Sequence, residues 1–299
     1  MDYVFFYEEF WPMLLTRLAR DDRQKVGVRR LAMMGAAFAR TPERFSRRVR
    51  VLSRTDPPKL TTQPLGSLGP IWMFWAQGLD EAPPIVRRSV DSIKSFANGR
   101  DVIVLDHRSA GDYLGRVPSA YKGLNHYTSW AHFSDALRLA LIAEHGGTWF
   151  DATILQVAPM PPDIMDADLT LPATPRITRL VGNWFIHGRA HHPLIEAWLE
   201  QLIAYRAVTR PRTRPYMHMH YLMEAMTLYD AGCAAMLERA ATMDANPSLA
   251  IVRTAKRKGD DTPWDDLATK SWMHKLTYKP PGAAPIRKWL DERRPIVSA

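Results

Sequence analysis

The chain has 299 residues, 46% of them hydrophobic, which allows one sizeable core and is too short for three ordinary domains. Its one cysteine, Cys233, excludes an internal disulfide and fits a reducing compartment; set among Ala231, Gly232, Ala234 and Ala235, it reads as an inert helix residue. The formal charge of +9 points to anionic partners, namely nucleic acid, an anionic membrane surface or an acidic substrate.

Residues 1–60 hold 13 Lys or Arg against 7 Asp or Glu, so a fifth of the chain carries two thirds of the excess charge. Phe5, Phe6, Phe10, Met13, Leu14 and Leu18 recur at helical spacing, and further helices are expected over 23–40 and 42–52, the last with Arg44, Arg47, Arg48 and Arg50. Basic amphipathic helices of this kind either lie in the headgroup plane of an anionic membrane or pack on a main domain with their charges in water. Asp2, Glu8 and Glu9 stand where a secretory signal would be basic, and the longest apolar run, 31–39, falls far short of the roughly 20 residues that span a bilayer. The expected location is therefore cytoplasmic, peripheral at the inner membrane face. Nucleic acid is the weaker partner, because no zinc finger or RNA-binding strand pattern is present. Four prolines and two glycines over 55–70 mark a linker, dividing the chain into a basic helical extension with linker, 1–69, and a main domain, 70–299.

The main domain opens with a continuous apolar run over 71–75, a buried-strand pattern broken at Gln77-Gly78. Pro83-Pro84 introduces a helix over 85–96, and 101–106 is a second buried strand, so the unit reads as strand, helix, parallel strand. A helix around Asp135 and a strand over 148–150 follow. Further strands are expected at 169–171 and 184–186, helices at 193–208 and 219–228, and a polar loop at 256–266. His191-His192 start a helix, and His218 and His220 are two apart, so no zinc-ligand spacing arises.

The chemistry concentrates in Ser134-Asp135-Ala136-Leu137-Arg138 and Gly146-Gly147-Thr148-Trp149-Phe150-Asp151-Ala152-Thr153. Three residues apart on a helix, Asp135 and Arg138 share a face, and their apolar neighbours imply that both are buried and need partners. Gly146 and Gly147 suit the left-handed backbone of a helix end, and Asp151 leaves a strand where an α/β sheet meets its ligands. Two carboxylates and a guanidinium would then converge on a polar, phosphate-bearing ligand.

This order of elements resembles the sugar-nucleotide site of glycosyltransferase family 32 and, more closely, its bacterial relatives, the capsular polysaccharide synthesis proteins. The likeness covers about 70–280. It extends more weakly to 71–78, to 183–186, to the His220-Tyr221 region and to Lys275-Leu276-Thr277. It implies an α/β fold of the GT-A type with a mixed, mainly parallel central sheet. It also implies a retaining, hexosyltransferase-like enzyme that moves a sugar from a nucleoside-diphosphate donor to a hydroxyl of a saccharide or lipid-linked glycan. On that likeness Asp135, Arg138 and Asp151 are the catalytic candidates, with Arg138 near the donor's charge. Trp75 stacks on the nucleotide base, and Thr153 completes the donor side. Asn183, Trp184, His220, Trp272, His274 and Lys275 are candidates for the acceptor or diphosphate side. In family 32 two acids handle the ribose and a divalent cation; here the second is Thr153, so Mn²⁺ or Mg²⁺ would rest on Asp151 with a neutral hydroxyl. The competing readings are a catalytically silent sugar-nucleotide or glycan scaffold and a basic nucleic-acid-binding protein.

Overall fold

The structure is a computed structural model, and it describes residues 68–114, 129–173, 181–208, 216–256 and 263–292. The helices and most of the linker expected over 1–69 lie outside the described residues. Strand β1 (Ile71–Phe74) is followed by helix α1 (Pro84–Ser95), started by Pro83-Pro84, and by strand β2 (Val102–Leu105). A short 3₁₀ turn (Ser109–Tyr113) precedes α2 (Trp130–His145), whose N-cap Ser129 accepts a hydrogen bond from the His132 N–H. Next come β3 (Gly147–Phe150), β4 (Ile154–Gln156), α3 (Pro162–Met165), β5 (Leu169–Ala173) and β6 (Phe185–Gly188). The rest is mainly helical: α4 (Pro193–Val208), α5 (His218–Tyr229), α6 (Ala231–Arg239), β7 (Ala241–Asp244), α7 (Ala245–Ala255), α8 (Trp264–Ala268), β8 (Met273–Lys275) and α9 (Ala283–Glu292).

Six strands form one sheet in the order β2-β1-β3-β6-β5-β7, and only β6 runs against the others. The α/β class and the mixed, mainly parallel sheet thus agree with the sequence reading. Side-chain alternation sorts the core into two layers. Trp72, Phe74, Trp149 and Ile186 pack with α2, α4 and α5 on one face, while Ile71, Met73, Phe150 and Phe185 meet α1 on the other. A third cluster joins Leu155 of β4 to Ile251, Trp264, Ile286 and Trp289, and so backs the separate two-stranded β4–β8 sheet. The expected polar loop is partly helical: α8 begins at Trp264, while 257–262 are outside the described residues.

The Gly146-Gly147 break is demanded twice over. Both residues have positive φ, +65° and +98°, which disfavours any side chain. A Cβ on Gly146 would lie 2.6 Å from the Ala190 nitrogen, and one on Gly147 would lie 2.1 Å from the Pro70 carbonyl oxygen. The break lets β3 start directly against the approach to β1, where Thr148 N–H donates to Pro70 at 2.9 Å. Arg100 fixes the same corner through Leu68, Gly69 and Pro70 carbonyls and the Thr148 hydroxyl.

Candidate active site

A cleft of about 780 Å³ opens beyond the ends of β1 and β3, within the range of small-molecule sites. Its floor is built by local geometry. Trp149 and Asp151 are two residues apart at the end of β3, so both side chains leave the same face of the sheet. The Asp151 N–H donates to Trp184 O at 2.9 Å, and Ile154 N–H closes a turn onto Asp151 O at 2.9 Å. Asp151 is thereby fixed between β6 and β4.

Arg138, one turn along α2 from Ser134, joins the floor into a unit. A guanidinium has five N–H donors. Here Nε donates to Ser134 O at 3.0 Å, Nη2 to Ser134 Oγ at 2.8 Å, and Nη1 both to Asp151 Oδ1 at 2.9 Å and to Asn183 O. The last donor meets Asp135 Oδ1, 3.2 Å from Nη2. The guanidinium also lies over the Trp149 ring, 5.0 Å from its centroid. With 5% of its side chain exposed and all five donors committed, Arg138 stands behind the two carboxylates. It holds Asp135, Asp151 and the Asn183 backbone in register and is itself part of the cleft lining.

The two carboxylates differ in environment. Asp151 Oδ1 accepts from Arg138 and from Trp149 Nε1 at 3.0 Å, and Oδ2 accepts from Lys275 Nζ at 2.6 Å. Burial would raise its pKa, but Lys275 and Arg138 outweigh that and hold it below the usual carboxylate value. For Asp135 burial prevails and pushes the pKa up to about 6, against the opposing pull of Arg138 and Arg206. Asp135 Oδ1 accepts from Asn183 Nδ2 at 3.0 Å, whereas Oδ2 has no partner among the described residues and is left to accept from a ligand hydroxyl.

Lys275 arrives from 124 residues away, carried by the β4–β8 ladder, in which Ile154 pairs with Lys275, and by Leu276 N–H donating to Thr153 O at 2.8 Å. Strand alternation decides which neighbour reaches the cleft. Lys275 faces Asp151, while His274 is fully buried on the other side, within 2.9 Å of Ala268 O. Trp272 packs edge-on against Phe150 and Phe185, with centroids at 6.2 and 5.6 Å. His274 is therefore a core residue and Trp272 a half-buried one packed on the core, neither is part of the cleft lining, and their assignment to the acceptor or diphosphate side is corrected. Trp75, Thr153, Asn183, Trp184 and His220 all line the cleft. Asn183 belongs to the charge network, and Trp184 lies so close over Gly182 that a Cβ there would come within 2.7 Å of its Nε1. Trp75 stands just past β1, its ring edge-on to Tyr278 at 5.1 Å.

Sequence reasoning missed several cleft residues. Trp130 and Tyr216 are large aromatic side chains left 47% and 65% exposed at the cleft. Lys256, Tyr278 and Lys279 also line it. Tyr278 and Lys279 directly follow the Lys275-Leu276-Thr277 segment, which was a usable signal; Lys256 and Tyr216 had none.

The donor set does not fit a resident divalent cation. Asp151 has three donors on its two oxygens, one of them an ammonium at 2.6 Å, and its companion in the motif is a neutral threonine. Among the described residues no three His, Cys, Asp or Glu side chains gather. A hard cation prefers several oxygen ligands, and at Asp151 Oδ2 it would meet the positive charge of the Lys275 ammonium already bonded there.

The structure is thus an α/β sheet whose strand ends carry a paired acid site in a cleft also lined by Lys256, Lys275 and Lys279. The chain belongs to the capsular polysaccharide synthesis protein family, whose profile matches residues 46–284, and this is the family that the central motif resembles. It is also 26% identical over 160 residues to the human alpha-1,4-N-acetylglucosaminyltransferase. That match covers 50% of this chain and 45% of the relative, so the chain spans less than half the relative's length. Among solved structures it is similar to the PaToxG glycosyltransferase at 17% identity and a TM-score of 0.41, over 65% of this chain and 79% of that one.

Proposed function

We propose that the protein is a retaining, hexosyltransferase-like glycosyltransferase of the GT-A type, working in the synthesis of capsular or other surface polysaccharide. It transfers a sugar from a nucleoside diphosphate to a hydroxyl of a saccharide or lipid-linked glycan. The observation that carries this reading is the Asp135–Arg138–Asp151 unit on the floor of a cleft walled by aromatic and cationic side chains. The unengaged oxygen of Asp135 accepts a hydrogen bond from a donor-sugar hydroxyl. Trp75 offers a flat face to the nucleotide base, and the cleft's cations face the diphosphate. Trp130 and Tyr216 offer apolar ring faces on which an acceptor sugar can lie, beside His220 and Trp184.

Incubation with a panel of sugar nucleotides, reading nucleoside diphosphate release with and without oligosaccharide acceptors, tests the reading. Turnover with one donor, lost in Asp135→Ala, is expected. Binding of a donor with no turnover under any acceptor would instead make the protein a sugar-nucleotide-binding scaffold.

A further inference from the structure

Lys275 places an ammonium against Asp151, and it is not used up there. An ammonium has three N–H donors. Asp151 Oδ2 takes one at 2.6 Å, and no other acceptor engages Lys275 among the described residues. About a fifth of its side chain, 21%, remains exposed, and it lines the cleft. Arg138 differs at each point, with all its donors committed and its head buried. Asp151 therefore does for Lys275 what a carboxylate usually does for a metal: it fixes a positive charge on the cleft side of the acid.

Lys275 does not act alone. Lys256, exposed at the C-terminal end of α7, lies within electrostatic reach of it and lines the same cleft, as does Lys279. A cleft lined by three ammonium groups and two acids matches a ligand whose centre is dianionic and whose flanks carry hydroxyls.

We propose that the protein binds and releases a nucleoside diphosphate without a divalent cation, with the Lys275 ammonium, held by Asp151 and flanked by Lys256, in the metal's place. This rests on the glycosyltransferase reading. In the transfer, the bond between the sugar's anomeric carbon and the terminal phosphate oxygen breaks, and its electron pair stays on the diphosphate. Lys275 stabilises that charge without giving up a proton. The acceptor oxygen forms the new bond to the anomeric carbon, and its proton passes to the departing diphosphate. No metal or other co-reactant is needed for the balance.

The test is calorimetric titration of UDP, GDP and ADP into the full chain, once in excess EDTA and once in excess MnCl₂. One nucleotide is expected to bind with affinities in the two buffers that agree within about twofold. In EDTA, Lys275→Met should weaken it by about ten- to a hundredfold, the usual weight of a charge-assisted hydrogen bond. Lys275→Arg should keep most of the affinity, and Lys256→Met, at an exposed position, should weaken binding a few-fold with no effect on folding. Mn²⁺ alone, followed by electron paramagnetic resonance, should stay free in the presence of the nucleotide-free protein. Binding that appears only with Mn²⁺, an unchanged affinity in folded Lys275→Met, or Mn²⁺ capture that is lost in Asp151→Asn would each overturn the inference and leave the glycosyltransferase reading standing. Failure of every nucleotide in both buffers would overturn both.

Discussion

Arg138 and Asp135 are three residues apart on one helix, yet they do different work. The guanidinium satisfies five acceptors from three segments and so makes the floor of the cleft rigid. Asp135 is the strained partner. Its folded pKa of about 6 lies above the roughly 3.9 of an unfolded aspartate, so its contribution to stability is fully present below about pH 4 and is lost as pH rises through 6. At pH 8 the protein holds a buried charge at a disadvantage of at most about 3 kcal/mol. Asp135→Asn removes that charge, keeps an acceptor for Asn183, and leaves Arg138 paired with Asp151. Its melting temperature should exceed that of the wild type at pH 8, and the gap should close toward pH 4.5. Donor turnover by the variant should fall at least about tenfold at pH 8, and wild-type turnover should decline below pH 6 as Asp135 protonates. Melting curves and initial rates over that range check both halves. Equal stability at pH 8 would mean that Asp135 is not held at a cost.

At the scale of elements, the strands and helices that deliver the acid pair were legible because each announces itself locally. The apolar run 71–75 appears as β1 over Ile71–Phe74, and the helix expected at 193–208 appears as α4 with those bounds. The Gly-Gly break was legible for the same reason. Gly147→Ala should lower stability by about 3 kcal/mol, because the backbone sits at φ +98° and the new methyl would meet the Pro70 oxygen at 2.1 Å. Urea unfolding measures this, and a loss under 1 kcal/mol would show that the corner relaxes. What was not legible is pairing at a distance. β4 and β8 are three residues each, too short to show a period, and β8 was readable only as a motif fragment. Without the ladder there was no way to tell that His274 turns inward while Lys275 reaches Asp151. β7, with alternate residues exposed and no β-branched run, gave no strand signal either. Five-donor saturation of Arg138 is likewise a three-dimensional fact, since Asn183 is 45 residues away.

For the whole molecule the uneven charge remains to be placed. The cleft's cations are matched in part by Asp135 and Asp151, whereas two thirds of the chain's excess charge falls in residues 1–60. A glycosyltransferase acting on a lipid-linked acceptor gains from proximity to the membrane that holds it, and among the described residues no helix is long and apolar enough to cross one. Electrostatic attachment through the basic segment, which we propose, would meet that need at about 1 kcal/mol per Lys or Arg near an anionic surface. The full chain should therefore sediment with vesicles containing phosphatidylglycerol, remain in solution with pure phosphatidylcholine, and be released as salt rises and the Debye length shortens. Changing Arg44, Arg47, Arg48 and Arg50 together to Gln should weaken vesicle binding by well over tenfold and leave nucleotide affinity unchanged, because the central acid motif at 134–153 is untouched. Equal binding to neutral and anionic vesicles would sink the electrostatic account. Salt-sensitive binding to duplex DNA with none to vesicles would reassign the charge to nucleic acid.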